Sequence, residues 1–149
     1  YDNNQETIVY IFDFHILVSK INYMKNIIET NNAPAPIGPY SQAVKIGNTL
    51  YTSGQIAINT ETGKLEMDSI EIETHQVMKN MESVLNDANM TFDDVIKTSI
   101  FILNMNNFSR INEIYGQYFT SNFPARETVE VARLPKGVNL EISMIAIKD

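Results

Sequence analysis

VMKNMESVLNDANMTFDDVIKTSIFIL, residues 77–103, changes its apolar spacing part-way along, and that change decides the fold. Val77, Met78, Met81, Val84, Leu85 and Ala88 recur every three or four residues, which marks one face of a helix. Residues 95–103 form instead a short apolar run rich in β-branched and aromatic side chains, the pattern of a buried strand. Asp68 or Ser69 can cap the helix, and Glu71 and Glu73 suit the positive end of its dipole. Asn89 can take the left-handed position that closes it.

The same reading extends in both directions. Downstream, Asn106 and Asn107 open a second helix whose stripe is Phe108, Ile111, Tyr115, Tyr118 and Phe119. Strands over residues 126–134 and 139–147 follow, separated by Pro135-Lys-Gly137. Upstream, residues 59–67 carry Gly63 and read as a loop, while strands 41–46 and 50–55 flank a Gly47-Asn48 turn. Residues 31–39 hold three prolines and a glycine and must be an extended loop. The order is ββαβαββ, an α+β domain over residues 24–149. Residues 1–23 read differently. Their apolar run, 8–18, is interrupted by Asp13 and His15, is too short to span a membrane, and has an acidic flank where a signal peptide wants a basic one. It is an extension of uncertain role: dispensable, an added strand, or the remnant of a targeting segment. Met24 would be a natural start for the compact domain.

Composition narrows the chemistry. The 149 residues fit one domain, and a net charge of −7 makes the average surface repel phosphate, which counts against nucleic acid as a partner. With no cysteine, disulfides, thiolate nucleophiles and thiolate metal sites are excluded. Two distant histidines, His15 and His75, do not supply the close pair of the usual zinc spacings, nor the makings of a Ser-His-Asp hydrolase. No metal is expected. Any reaction must run on carboxylates, arginine, hydroxyls, amides and backbone.

Five side chains stand out. Asn112 falls about 40° from Phe108 and about 60° from Tyr115 around the second helix, inside the apolar arc. A buried amide there either bonds a loop or walls a site. Arg126 follows Phe123-Pro-Ala125 at a strand start, and its planar fork suits a carboxylate, although an arginine so placed is commonly a surface residue. Glu141 shares a strand face with Ser143, Ile145 and Ile147. It is either half of a salt bridge or a desolvated acid whose pKa rises toward the range useful for proton transfer. Tyr40 closes the Pro-Gly-Pro loop, and Ser53 with Gly54 ends a strand where backbone N–H groups could be exposed.

Taken together, the segments resemble a known family. Asn32-Ala-Pro-Ala-Pro-Ile-Gly-Pro-Tyr-Ser-Gln-Ala-Val44, Tyr51-Thr-Ser-Gly-Gln-Ile56, Val95-Ile-Lys-Thr98 and Asn112-Glu-Ile-Tyr115 carry the likeness. So do Val129-Glu-Val-Ala-Arg-Leu-Pro-Lys-Gly137, Leu140-Glu-Ile142 and, above all, Asn122-Phe-Pro-Ala-Arg126. They are similar to the Rid family (RidA/YjgF, the L-PSP "endoribonuclease" family) from about Lys25 to Lys148.

The resemblance implies a chorismate-mutase-like fold, with a mixed sheet packed by two helices. It also implies a homotrimer with sites in the clefts between subunits, and a 2-iminobutanoate/2-iminopropanoate deaminase that forms 2-keto acids and ammonia. Arg126 would hold the substrate carboxylate and Glu141 would orient water or move protons. Tyr40 and Asn112 would shape the pocket, and Ser53 and Gly54 would add polar contacts. Thr128 stands where many bacterial relatives carry cysteine, so any role there would come from its backbone. Ser143 stands where many relatives are acidic. A cytoplasmic location, no membrane partner and no cofactor complete this expectation. The rival readings are an endoribonuclease or translation inhibitor, and a non-enzymatic trimer that binds small carboxylates.

The last two strands bear on the oligomer. If Pro135-Lys-Gly137 closed a simple hairpin, Arg126 would lie about five residues beyond the partner of Glu141, on the order of 17 Å away. If the strands do not pair, the sequence sets no distance between them. A site that uses both residues is most easily built from two chains.

Overall fold

A computed structural model describes residues 24–149. The expectation for residues 1–23 lies outside this span. The elements are β1 (Lys25–Ile28), β2 (Ala43–Ile46), β3 (Thr49–Thr52), α1 (Ile70–Asp87), β4 (Val95–Ile102), α2 (Phe108–Gly116), β5 (Ala125–Glu130) and β6 (Leu140–Ile147). They build one mixed sheet in the order β1-β2-β3-β6-β4-β5. This is the α+β arrangement expected, with one strand more at the start. β1 pairs antiparallel with β2 as an edge strand of four residues, of which only Ile28 is buried. One apolar contact leaves too little alternation to announce a strand.

Alternation along the central strands creates two unlike faces. Leu140, Ile142, Met144 and Ala146 of β6 are buried, as are Thr98, Ile100 and Ile102 of β4. They form one core with Val77, Met78, Met81, Val84 and Leu85 of α1 and Ile111 and Tyr115 of α2. Each large side chain so buried contributes about 1.5–3 kcal/mol. The intervening residues Glu141, Ser143, Ile145 and Ile147 share one face, as their spacing predicts, and the structure makes it the opposite, outer one. That face is open. Tyr51 (50%), Val129 (42%) and Ile27 (40%) remain well exposed on it. No helix among the described residues is long and apolar enough to cross a membrane.

Of the two arrangements left open for the last two strands, the unpaired one is found. β4 lies between them, parallel to β5 and antiparallel to β6. β5 also ends before the predicted residue 134, because after the Val131 N–H bond to Ile102 O the chain leaves the sheet and crosses β4. Pro135–Gly137 forms a 3-10 turn with left-handed Lys136 and Gly137. α2 stops at Gly116, so Tyr118 and Phe119 pack from the turn beyond it.

Ser69 is the cap of α1, its hydroxyl accepting from the Ile72 N–H at 3.2 Å. No basic residue lies in the last turn of α1. Lys45 and Lys148 reach in from elsewhere and donate to the carbonyls of Ala88 and Asn89. Asn89 takes the left-handed conformation expected of it, φ 58°. Replacing Asn89 by Val is expected to cost about 1–2 kcal/mol of unfolding free energy. Asn89→Gly should stay near wild type, and urea denaturation of both variants checks this.

Candidate functional site

The candidate residues gather into two separate clefts. The first, of about 380 Å³, is lined by Asn112, Tyr115 and Gly116 of α2 with Phe123, Pro124 and Arg126. α2 presents Asn112 one turn after Phe108, and a left-handed Asn122 (φ 53°) turns the chain so that Phe123 and Pro124 form a wall. Arg126 Nη1 donates to Asn112 Oδ1 at 2.7 Å. The guanidinium carbon lies 5.0 Å from the Tyr115 ring centre and 5.6 Å from that of Phe108. An amide oxygen and two ring faces hold the cation without neutralising it, and its other N–H groups find no partner among the described residues. Asn112 is therefore exposed in a cleft rather than buried in the core. The helix stripe is narrower than the arc assumed, since Phe108 itself is exposed. Burial holds the Tyr115 phenol above its usual pKa, so it stays protonated and donates to Thr98 Oγ1 at 3.1 Å.

The second cleft, of about 310 Å³, is lined by Ile37, Tyr40, Ser53, Gly54, Ile56, Pro135 and Glu141. The Glu141 carboxylate lies directly over the Gly54 Cα, where any side chain would overlap it. Burial raises its pKa, and no neighbouring cation opposes the shift. Ser53 already donates its hydroxyl to Ser41 O at 2.6 Å and can only accept from a ligand. Tyr40 OH accepts from the Ile37 N–H at 3.3 Å, which braces the proline loop. Thr128 lines neither cleft. Its Oγ1 is buried and has no hydrogen-bond partner among the described residues.

Arg126 and Glu141 do not meet within one chain. Arg126 pairs with Thr98 in register and shares the helix-covered face, whereas Glu141 pairs with Phe101 and points outward. Two strand spacings and three residues of offset separate their backbones by on the order of 14 Å, with the sheet between the side chains.

Three buried polar residues were not singled out as positioning groups. Gln42 Nε2 donates to the carbonyls of Thr30, Ala33 and Pro34, and its Oε1 accepts from the Thr30 N–H. Glu73 and Asn80 lie on the inner face of α1. Glu73 lies in the first turn of α1, as expected, and is a core residue as well. The signal was present, because 73, 77, 80 and 84 share one helical stripe. No group of three or more His, Asp or Glu that could hold a metal ion occurs among the described residues.

Comparison with known proteins is decisive for ancestry. The model of the family described as Endoribonuclease L-PSP matches residues 30–148. The chain belongs to the Rid (L-PSP) family. Among its Rid relatives is the human 2-iminobutanoate/2-iminopropanoate deaminase, 45% identical over 84% of this chain and 91% of that protein. A Rid protein from Yersinia pestis superposes with a TM-score of 0.82 at 53% identity, covering 84% of this chain and all of its own. TdcF of E. coli, solved with bound serine, superposes with a TM-score of 0.80 at 39% identity, over 83% of this chain and 99% of its own.

The second cleft makes a thermodynamic prediction. With its pKa raised by burial, Glu141 binds its proton more tightly folded than unfolded. Its contribution to stability is therefore full in acid and is lost as pH climbs through the raised value. Glu141→Gln should melt higher than wild type near neutrality, and the gap should close toward acid. Gly54→Ala must push the Glu141 carboxyl aside into water and should return its titration midpoint toward the ordinary carboxylate range, read by carboxyl 13C NMR.

Proposed function

We propose that this chain hydrolyses small 2-imino acids, 2-iminobutanoate and 2-iminopropanoate among them, to 2-keto acids and ammonia, and that its site forms between copies of a homotrimer. The observation that carries the reading is the division of the site. One cleft offers an unpaired guanidinium and lacks an acid, the other offers a desolvated acid and lacks a cation, and they open on opposite faces of one sheet. A head-to-tail ring brings the first cleft of each copy against the second cleft of its neighbour. The open outer face, with Tyr51, Ile145, Ile147 and Val129, supplies apolar area for that contact.

Arg126 holds the carboxylate through charge-assisted bonds, and Asn112 keeps the fork flat against Tyr115. The bound protonated imine then presents its carbon to the Glu141 of the adjoining copy. Water adds to that carbon as Glu141 accepts a proton from it, forming the carbinolamine. The acid returns the proton to nitrogen, the C–N bond breaks and ammonia departs, while the carbinolamine hydroxyl passes its proton to the Glu141 carboxylate as the C=O forms. Glu141 then yields that proton to the departing ammonia, which leaves as ammonium. A carboxylate with raised pKa suits these transfers near neutral pH. Tyr40, Ser53 and Gly54 border the water position. The deaminase name of the human relative and the serine bound to TdcF, which carries a carboxylate beside its nitrogen-bearing carbon, support this substrate class. A net charge of −7 counts against RNA as substrate.

The test uses mixed trimers. Arg126→Ala alone and Glu141→Gln alone should each abolish accelerated keto-acid release from imine generated in situ. Co-expressed in equal amounts, the two variants should regain about one quarter of wild-type activity, since a quarter of head-to-tail contacts join an intact Arg126 to an intact Glu141. No recovery would place both groups in one chain. No acceleration by wild type would leave a small-carboxylate binder.

A further inference from the structure

The carboxylate of Glu141 is set in place from the far side of the sheet. Glu73 and Asn80, 0% and 1% exposed, lie two turns apart on the buried face of α1. Glu73 grips the start of β6, where Leu140 pairs with Ile102, and Asn80 grips the irregular segment that follows β3. Glu73 Oε1 accepts from the N–H groups of Asn139 at 2.6 Å and Leu140 at 3.4 Å, and Oε2 accepts from the Asn139 amide at 2.7 Å. Asn80 Nδ2 donates to the carbonyls of Ile56 and Ile58, both at 2.9 Å, while its Oδ1 accepts from Gln76 at 2.8 Å.

The two gripped segments, 56–58 and 139–140, flank the second cleft. They are tied to each other by the Gln55–Ile142 bridge, whose two hydrogen bonds are 2.8 and 3.1 Å long. Glu141 follows the segment held by Glu73, and Gly54 precedes the one held by Asn80. The contact of the Glu141 carboxylate with Gly54 is therefore set by where α1 holds both backbones. An apolar side chain at position 73 would fill the same core without the desolvation cost of a buried carboxylate. What it would not do is fix two N–H groups at the root of the strand.

We propose that Glu73 and Asn80 are positioning residues for Glu141, holding its strand and the Gly54 segment at the separation that keeps the acid over Gly54 and out of bulk water. This rests on the reading of Glu141 as the proton-handling group. Among the described residues, the only other titratable side chain lining that cleft is the Tyr40 phenol. In an assembled ring, Arg126 of the adjoining copy would face it too, unchanged by substitutions on α1.

The experiment compares Glu73→Gln, Glu73→Leu and Asn80→Ala, each assayed well below its melting temperature. Glutamine at 73 still accepts from both N–H groups, and a turned Asn139 amide can accept from its nitrogen. Its kcat and the acid limb of its pH profile should stay near wild type. Glu73→Leu should lose on the order of tenfold or more in kcat through misplacement alone. KM should change little, because Arg126 in the other cleft binds the substrate. The acid limb and the 13C midpoint of Glu141 should both move down toward the ordinary carboxylate range. If Glu73→Leu does not fold, Asn80→Ala carries the same two readouts.

A folded Glu73→Leu or Asn80→Ala with wild-type kcat and an unmoved midpoint overturns the inference. If wild type hydrolyses no imino acid while the midpoint still moves, the catalytic reading fails and the positioning of Glu141 stands.

Discussion

Burial of one face of the sheet, and of one only, is the constraint from which the rest follows. β4 and β6 alternate apolar and polar or half-buried residues, and the two helices cover only the side that carries Ile100, Ile102, Leu140, Ile142 and Met144. A one-residue slip of β6 would send Glu141 into the core and expose Ile142, so the register is strongly specified. Once it is set, Arg126 must lie on the helix side and Glu141 on the open side.

That separation has an electrostatic consequence. Three ion pairs form elsewhere among the described residues, Arg110–Glu71, Lys97–Glu127 and Lys148–Asp94. Arg110 grips Glu71 with two bonds, 2.6 and 2.8 Å, and holds its pKa at about 2. Lys97 and Ser99 hold Glu127 on the outer face and lower its pKa. Arg126 and Glu141 take part in none of them. The guanidinium rests on a neutral amide and two ring faces, and the carboxyl rests against a glycine. Within one chain the sheet keeps them from pairing, so each retains its full capacity for a ligand.

The buried polar residues show how a short domain holds irregular backbone at a cleft. Gln42 satisfies four backbone groups of the loop after β1, and Glu73 and Asn80 do the same for segments on either side of Gly54 and Glu141. Each adds side-chain hydrogen bonds to main-chain groups at the ends of the strands and in the loops beside them. The cleft walls are thereby tied to the rigid part of the molecule.

Both helices, the strands flanking them, the common face of Glu141, Ser143, Ile145 and Ile147 and the left-handed Asn89 were legible along the chain, because period and turn chemistry are local properties. Its motifs also carried the family. That β4 separates the last two strands, that Asn112 bonds Arg126 directly, that Glu73 is buried, and that the candidate residues divide between two faces came from the folded chain alone. Those are facts of pairing order and crossing, which depend on contacts between residues far apart in the chain. Neighbouring residues do not encode which strand lies between two others, so spacing along the chain could not reveal it.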